Sequence, residues 1–362
     1  MKGLYRILFI THGSKNIGMG HVMRCVSLAN AFRNKGWQVT FFSKYVLGRE
    51  YIEKQQFDLL SVPVEKEKET CEFEYGSHME LEQEANVLMK LLAEQSMDII
   101  FVDSYNVSNV YFGKLHQYTK CLVYLDDIAA FSYDVDVVLN YNFSAFSMGY
   151  EKLLQKSKLL LGVKYCPLRE EFLQMKQCVT KKKVGDILIT TGAADPKNMA
   201  GKLLMLCEKY LPQCRLHVVV GKAFLCKQEL YELQDKNSNI VLYENPKKMS
   251  DIMLKCDVAV TAGGSTMYEL AACGIPMVTF IYAENQRPAV EMLEQEEYVV
   301  NLGEYSSVER NFWGKSMEVF ENAQLRENMT FRLQKLVDGK GAERVVEELT
   351  AIVYGKVKLD KR

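Results

Sequence analysis

Three things are scarce in this 362-residue chain, and each absence excludes something. There is no C-x-x-C pair. The ten cysteines, at 25, 71, 121, 166, 178, 207, 214, 226, 256 and 273, are scattered, several inside apolar runs such as Cys121 before Leu122-Val123-Tyr124-Leu125. Without paired ligand spacing a structural zinc site is excluded, and the thiols read as reduced and mostly buried, as in a cytoplasmic protein. There is no apolar stretch of the roughly 20 residues that a membrane span needs. The run Ile7-Leu8-Phe9-Ile10 behind Met1 to Arg6 is also too short for a signal-peptide core and breaks at Thr11-His12-Gly13. Finally, no charge dominates. The 45 Lys and Arg face 46 Asp and Glu, a net charge of −1. That excludes the basic field of a nucleic-acid binder or of a protein held on an anionic membrane. An anionic ligand would have to be gripped by local groups.

What is present is the material for two domains of ordinary size. Short β-like runs alternate with amphipathic stretches. Ile7–Ile10, Val39–Phe42, Ile99–Val102, Leu122–Leu125 and Val135–Leu139 read as strands. Between them lie stripes at helical spacing: Val22, Cys25, Val26, Ala29 and Phe32, ended by Gly36, and then Leu81, Ala85, Leu88 and Leu92. The alternation predicts a mostly parallel sheet covered by helices. It then restarts with Ile187–Thr190, Leu216–Val220, Ile240–Leu242, Val258–Thr261 and Met277–Ile281. The expectation is therefore an α/β protein of two Rossmann-like domains: residues 1–165, residues 166–345, and a C-terminal tail at 346–362. Lys181-Lys182-Lys183 reads as a solvated linker and Glu65-Lys66-Glu67-Lys68-Glu69 as an exposed loop. In open α/β sheets ligands bind at the C-terminal ends of the strands, so a cleft is expected where two such ends face each other.

The loop after the first strand carries Gly18-Met19-Gly20-His21 and opens a helix. Two glycines let the backbone approach a ligand closely, and a helix N-terminus offers N–H groups and partial positive charge. This is not the dinucleotide fingerprint, because the third glycine is missing around Arg24. His21, in the first turn, is a candidate general base, and the helix N-terminus should favour the neutral imidazole that a base needs. The alternative is a histidine that only caps or packs. His12 on the same loop reads as structural. His78, His116 and His217 show no constellation.

A second loop, Ala262-Gly263-Gly264-Ser265-Thr266, follows Val258–Thr261 and opens another helix, with Glu269 one turn on and Gly274 before Pro276. A diphosphate fits such a helix start, and Glu269 can accept from neighbouring ribose hydroxyls. Ser265-Thr266-x-x-Glu269 also has the look of a capping box, which needs no ligand. Asn285 and Gln286 follow the next strand, and Thr191-Gly192-Ala193 follows the first strand of this half. Asp134-Val135-Asp136 looks like the metal-binding D-x-D of another transferase fold, but it precedes its strand and reads as the strand's polar entry, so neither a metal nor another cofactor is expected.

Together these features resemble the GT-B superfamily, which binds UDP-sugars in an interdomain cleft. The second loop is similar to its nucleotide site: the glycine pair, Ser-Thr, a ribose-binding glutamate, Ala271-Ala272-Cys273-Gly274-Ile275-Pro276, then Asn285-Gln286. Two branches share this layout, the UDP-N-acetylglucosamine transferase of peptidoglycan synthesis and the UDP-sugar hydrolase of the pseudaminic-acid pathway. Gly18-x-Gly20-His21-x-x-Arg24, Asp103-Ser104-Tyr105, Leu125-Asp126-Asp127 and the segment Leu161 to Phe172 resemble the hydrolase, over roughly residues 5 to 295. Ser104 stands where that family has histidine, and Gly192-Ala193 where it has paired glycines. The resemblance implies UDP release by attack of water on the anomeric carbon, with His21, Tyr105 and Asn285 catalytic. It implies Gly18, Met19, Gly20, Arg24, Asp103, Gly192, Gly264, Ser265, Thr266, Glu269 and Gln286 on the substrate. It also implies a UDP-sugar as partner, no nucleic acid, no stable membrane insertion, and a monomer or weak dimer. A glycosyltransferase with the same UDP site, and a non-catalytic nucleotide-sugar binder, are the alternatives.

Overall fold

A computed structural model of the chain describes residues 5–14, 17–65, 77–154, 156–173, 175, 180–222 and 224–359, with side chains to residue 355. Lys15, Asn16, most of the Glu65–Glu69 run, Cys71 and Cys178 lie outside the described residues.

The chain divides into two compact units: residues up to 167 together with those from 340 onward, and residues 168–339. The first holds β1 (Arg6–Thr11), β2 (Gln38–Phe42), β3 (Asp58–Leu59), β4 (Met97–Asp103), β5 (Thr119–Leu125), β6 (Val137–Asn140) and β7 (Lys158–Leu161), in the order β3-β2-β1-β4-β5-β6-β7. The second holds β8 (Asp186–Thr190), β9 (Arg215–Val220), β10 (Ile240–Glu244), β11 (Val258–Ala262), β12 (Met277–Ile281) and β13 (Val300–Glu304), in the order β10-β9-β8-β11-β12-β13. Every pairing is parallel. Both sheets are doubly wound, as the alternating pattern predicts.

Nearly all of the expected strands are interior ones, whose residues are buried on both faces and therefore read as continuous apolar runs; β10, expected at Ile240–Leu242, is an edge strand. β3, β7 and β13 were not legible. β3 is two residues long, and β7 and β13 are edge strands that carry exposed or half-buried residues. The helix Gly20–Asn34 buries the expected stripe of Val22, Cys25, Val26, Ala29 and Phe32 against the sheet. Gly36 follows it at φ +82°, a backbone setting that favours glycine. The helix His78–Leu92 starts with a capping box between Ser77 and Glu80 and buries Leu81, Ala85, Leu88 and Leu92.

Two stretches differ from their expected setting. The last helix, Gly341–Leu359, packs with the first unit rather than closing the second or forming a tail. Tyr354 stacks edge-on to Tyr5, and Arg344 donates to the Lys164 carbonyl. The Lys181–Lys183 run is exposed, as expected, but lies within the second unit rather than linking the two and is tied down: Lys181 pairs with Asp257 at 2.9 Å, and the fully buried Arg326 donates to the carbonyls of Lys181 and Lys182. Asp136 accepts from the Leu122 N–H and from His116 at the entry to β6. Among the described residues no helix is long and apolar enough to cross a membrane.

Candidate functional site

Each sheet has a switch point, where the chain's winding reverses on either side of its first strand. In the first unit this is between β1 and β4. Register places Thr11 beside Asp103 at the C-terminal ends of those strands. The glycine loop after β1 closes on itself there, with Gly18 N–H donating to Ser14 O at 2.9 Å and Ile17 N–H to Ser14 Oγ at 3.0 Å. Gly18 needs its φ of +82°, while a Cβ at Gly20 would meet nothing within 4 Å. The protein's own packing therefore does not demand Gly20. Met19 caps the helix without a side-chain hydrogen bond, so the loop presents backbone at the helix start.

His21 Nδ1 lies 2.6 Å from Asp103 Oδ1. Arg24 grips the same carboxylate through both edges, Nε to Oδ2 and Nη2 to Oδ1, each at 2.6 Å. Arg24 also reaches Asp127, with Nη2 to Oδ2 at 2.8 Å, and Tyr141 Oη at 3.1 Å. Tyr105 Oη donates to Asp127 Oδ2 at 2.8 Å, and Asn142 Nδ2 donates to Asp127 Oδ1 at 3.0 Å. The Tyr105 ring stands edge-on to His21, centroids 4.9 Å apart. Burial alone would raise the Asp103 carboxyl, but Arg24 and then His21 outweigh it and hold it well below the ordinary carboxylate range. Burial likewise works against the Arg24 charge, and Asp103 and Asp127 more than restore it. An ionised carboxylate only accepts, so His21 Nδ1 carries a proton in this contact, and in the neutral ring the lone pair is then on Nε2. Arg24 Nη2 lies 3.1 Å from Nδ1 as well, but with both groups donors this is a contact and not a hydrogen bond.

The fold thus brings His21, Arg24, Asp103 and Tyr105 together. Asp103 and Arg24, expected on substrate, turn their polar atoms to each other and to their neighbours; their side chains are 0% and 11% exposed. Asp127, Tyr141 and Asn142 belong to the same network and were not singled out as site residues. The signal for Asp127 was the acidic pair ending β5, but the pair divides. Asp126 accepts from the Ile128 and Ala129 N–H groups and from Tyr150, holding a turn, and Asp127 alone faces Arg24. A cavity beside His21 is lined by His12, Ile17, Lys44, Tyr45, Glu84 and Asn106, among others.

In the second unit the switch point lies between β8 and β11. Gly263 is demanded by packing, since a Cβ there would lie 2.4 Å from Val290 Cγ2. Gly264 is not: its nearest neighbour would be Gln286 Nε2 at 3.8 Å. Ser265 caps the helix Thr266–Cys273 with no side-chain hydrogen bond. Glu269 turns instead to Arg169, which donates from Nε at 3.0 Å and Nη2 at 2.8 Å to the same oxygen. The capping-box alternative therefore does not describe this helix start. Burial raises the Glu269 carboxyl above its ordinary value, with Arg169 opposing. Gln286 Oε1 accepts from the Tyr282 N–H at 2.9 Å and braces the loop, while Asn285 is exposed. After β8, Gly192 stands at φ +105° with open space where a Cβ would be. The buried Thr191 hydroxyl has no hydrogen-bond partner among the described residues.

No family model matches the chain. Among curated proteins it is 28% identical over 296 residues to an uncharacterized protein of Methanocaldococcus jannaschii, covering 78% of this chain and 57% of that one. It is 25% identical over 275 residues to a Helicobacter pylori protein named pseudaminic acid cytidylyltransferase and UDP-2,4-diacetamido-2,4,6-trideoxy-β-L-altropyranose hydrolase, covering 75% and 49%. The chain thus spans about half the length of these two relatives. A Campylobacter jejuni protein named UDP-2,4-diacetamido-2,4,6-trideoxy-β-L-altropyranose hydrolase is 23% identical over 299 residues, covering 82% and 98%. Among solved structures, Acinetobacter baumannii MurG superposes with a TM-score of 0.65 at 13% identity, covering 96% and 99%. UDP-GlcNAc 2-epimerase from Neisseria meningitidis gives 0.60 at 12%, covering 96% and 100%. These likenesses carry the fold. The chain has the GT-B fold and is similar in sequence to the proteins named UDP-2,4-diacetamido-2,4,6-trideoxy-β-L-altropyranose hydrolase.

Proposed function

We propose that the protein hydrolyses a UDP-linked amino or deoxy sugar at the anomeric carbon, with His21 as general base. The observation that carries the reading is the 2.6 Å contact of His21 Nδ1 with Asp103, which leaves Nε2 as the proton acceptor. In this scheme Nε2 takes a proton from water, the water oxygen bonds to the anomeric carbon, and the bond to the diphosphate oxygen breaks with its electron pair leaving on UDP. As the proton arrives, Asp103 stabilises the imidazolium. Asp103 and Arg24 are positioning residues, acting through His21. Tyr105, held by Asp127, orients the water or the sugar, and Asn285 is assigned the same task. General-base assistance of this kind contributes roughly 10²–10⁴-fold.

UDP is assigned to the second unit. Support comes from the open space at Gly192, the room for a Cβ at Gly264, the helix start at Ser265 and Thr266, and the unpartnered Thr191 hydroxyl, since buried hydroxyls ordinarily have partners. Glu269 would take the ribose hydroxyls and Gln286 would brace the loop beneath the diphosphate. Helix N–H groups stabilise the negative charge of the departing UDP. The product sugar fits a role in the synthesis of nonulosonic acids or surface polysaccharides in the cytoplasm, in line with the names of the relatives.

The same base could take the proton of an acceptor hydroxyl, which would make the protein a glycosyltransferase. The test is incubation with UDP-2,4-diacetamido-2,4,6-trideoxy-β-L-altropyranose and no acceptor. Release of UDP with one equivalent of free sugar supports hydrolysis, and release only when an acceptor is added overturns it. Tight binding without turnover, unchanged in His21→Ala, would instead mark a nucleotide-sugar-binding protein.

A further inference from the structure

The cavity beside His21 has a second polar wall that the proposed mechanism does not use. His12 follows β1, Lys44 follows β2, and Glu84 comes from the helix His78–Leu92; all three are buried and line the cavity with His21. Glu84 is fully occupied. Its Oε1 accepts from Tyr111 Oη at 2.6 Å, and its Oε2 accepts from His12 Nε2 at 3.0 Å and from Lys44 Nζ at 2.9 Å. His12 Nδ1 lies 3.4 Å from the Lys44 backbone N–H, and Nε2 faces Glu84. Lys44 and Glu84 pair with opposite charges. The Lys44 ammonium has three N–H donors and, among the described residues, one carboxylate acceptor.

A buried ion pair seldom contributes more to stability than apolar residues of the same volume would, and this one lines a cavity. The wall's chemistry is specific. It offers the N–H donors of an ammonium whose charge is paired with Glu84. A neutral carbonyl oxygen can accept from Lys44 without disturbing that balance. A carboxylate would bring an uncompensated negative charge into a low-dielectric site next to Glu84.

We propose that Lys44, held in place by Glu84 and His12, donates a hydrogen bond to the carbonyl oxygen of an N-acyl substituent on the bound sugar and so selects acylamino sugars over those that lack the acyl group. The inference rests on the proposed function, because it takes His21 to mark the anomeric end of the sugar.

The experiment compares kcat/KM for UDP-2,4-diacetamido-2,4,6-trideoxy-β-L-altropyranose with that for the two analogues carrying a free amine at C2 or at C4, in wild type and in Lys44→Met. UDP affinity is measured in parallel by calorimetry. The expected result is a preference for the acylated sugar at one of the two positions, of about 10–100-fold, as for a hydrogen bond to a charged donor. In Lys44→Met it falls about tenfold or more, with UDP affinity within twofold of wild type. Should Lys44→Met fail to fold, the double variant Lys44→Met with Glu84→Gln removes both charges and keeps the Tyr111 and His12 contacts, and the same ratio is read. A preference that survives loss of Lys44 overturns the subsite and leaves the hydrolase reading standing. A wild-type protein that binds no UDP overturns the hydrolase reading, and the subsite with it.

Discussion

The ends of the two sheets solve opposite problems. At the end of the first, the charged groups have found one another. Arg24 lies between Asp103 and Asp127, Tyr105 donates to Asp127, and His21 is held by the carboxylate that Arg24 anchors. At the end of the second, Ser265 makes no side-chain cap, Gly192 faces open space and the Thr191 hydroxyl has no partner among the described residues. The first end is organised without a ligand, as the proposed general base would require. The second presents a helix start, as the proposed diphosphate site would require. The contrast lies in the charged cluster and not in the hydroxyls, since the buried Thr11 and Ser43 hydroxyls of the first unit lack partners among the described residues just as Thr191 does.

That contrast can be broken by experiment. The largest effect is expected for His21→Ala, which should slow UDP release roughly 10²–10⁴-fold while UDP affinity stays within twofold. If affinity collapses with rate, the division between the two ends is wrong. Asp103→Ala should be nearly as severe and differ in kind. It leaves Arg24 buried with one acidic partner fewer, so unfolding free energy should fall by about 3–5 kcal/mol in a denaturant titration, along with the rate. A loss of rate at full stability would mean that Asp103 is not the anchor of the cluster.

Acid should attack the first unit next. Burial raises the Glu84 carboxyl, but His12 and Lys44 outweigh it and lower it to about 2. A carboxyl depressed on folding contributes stability that is complete above its unfolded value near 4.5 and is lost as pH falls toward about 2. The contribution is on the order of 3 kcal/mol. Glu84→Gln should therefore flatten the fall of the melting temperature between pH 4.5 and 2. An unchanged slope removes Glu84 from the account.

Smaller effects are expected in the second unit. Glu269→Ala should weaken UDP binding by about 1.5–3 kcal/mol, the scale of a charge-assisted hydrogen bond, in calorimetry. Unchanged affinity would take Glu269 out of the site. The smallest change in structure is the most discriminating. Gly264→Ala should leave the melting temperature within about 2 °C, because its Cβ has room, yet weaken UDP binding about tenfold by blocking backbone approach. Gly263→Ala, whose Cβ would press on Val290, should cost about 1–3 kcal/mol of stability. If both glycines behave alike, the room at Gly264 is not a ligand's.

Much of this was legible in residues close together along the chain. The Gly18-x-Gly20-His21 loop and the Gly263–Glu269 loop are continuous segments at strand ends, and local backbone chemistry is enough to mark them. Asp127 was harder to single out, because Asp126 and Asp127 are alike in sequence and only the turn at Ile128–Ala129 decides which of them faces Arg24. Lys44 and Glu84 carried no signal. They stand 40 residues apart, one in a loop after a strand and one on the buried face of a helix, where a lone charge gives no spacing to read. The Arg169–Glu269 contact, 100 residues apart in the chain, was equally hidden.

The division has a physical cause. Hydrophobic periodicity and glycine placement act over a few residues, so the sequence by itself determined two doubly wound sheets, their interior strands and the loops at their switch points. Charge pairing is settled by distance in space. Only the tertiary structure brought β1 beside β4, set Asp103 against His21 and Arg24, and so decided which nitrogen of the histidine the carboxylate holds.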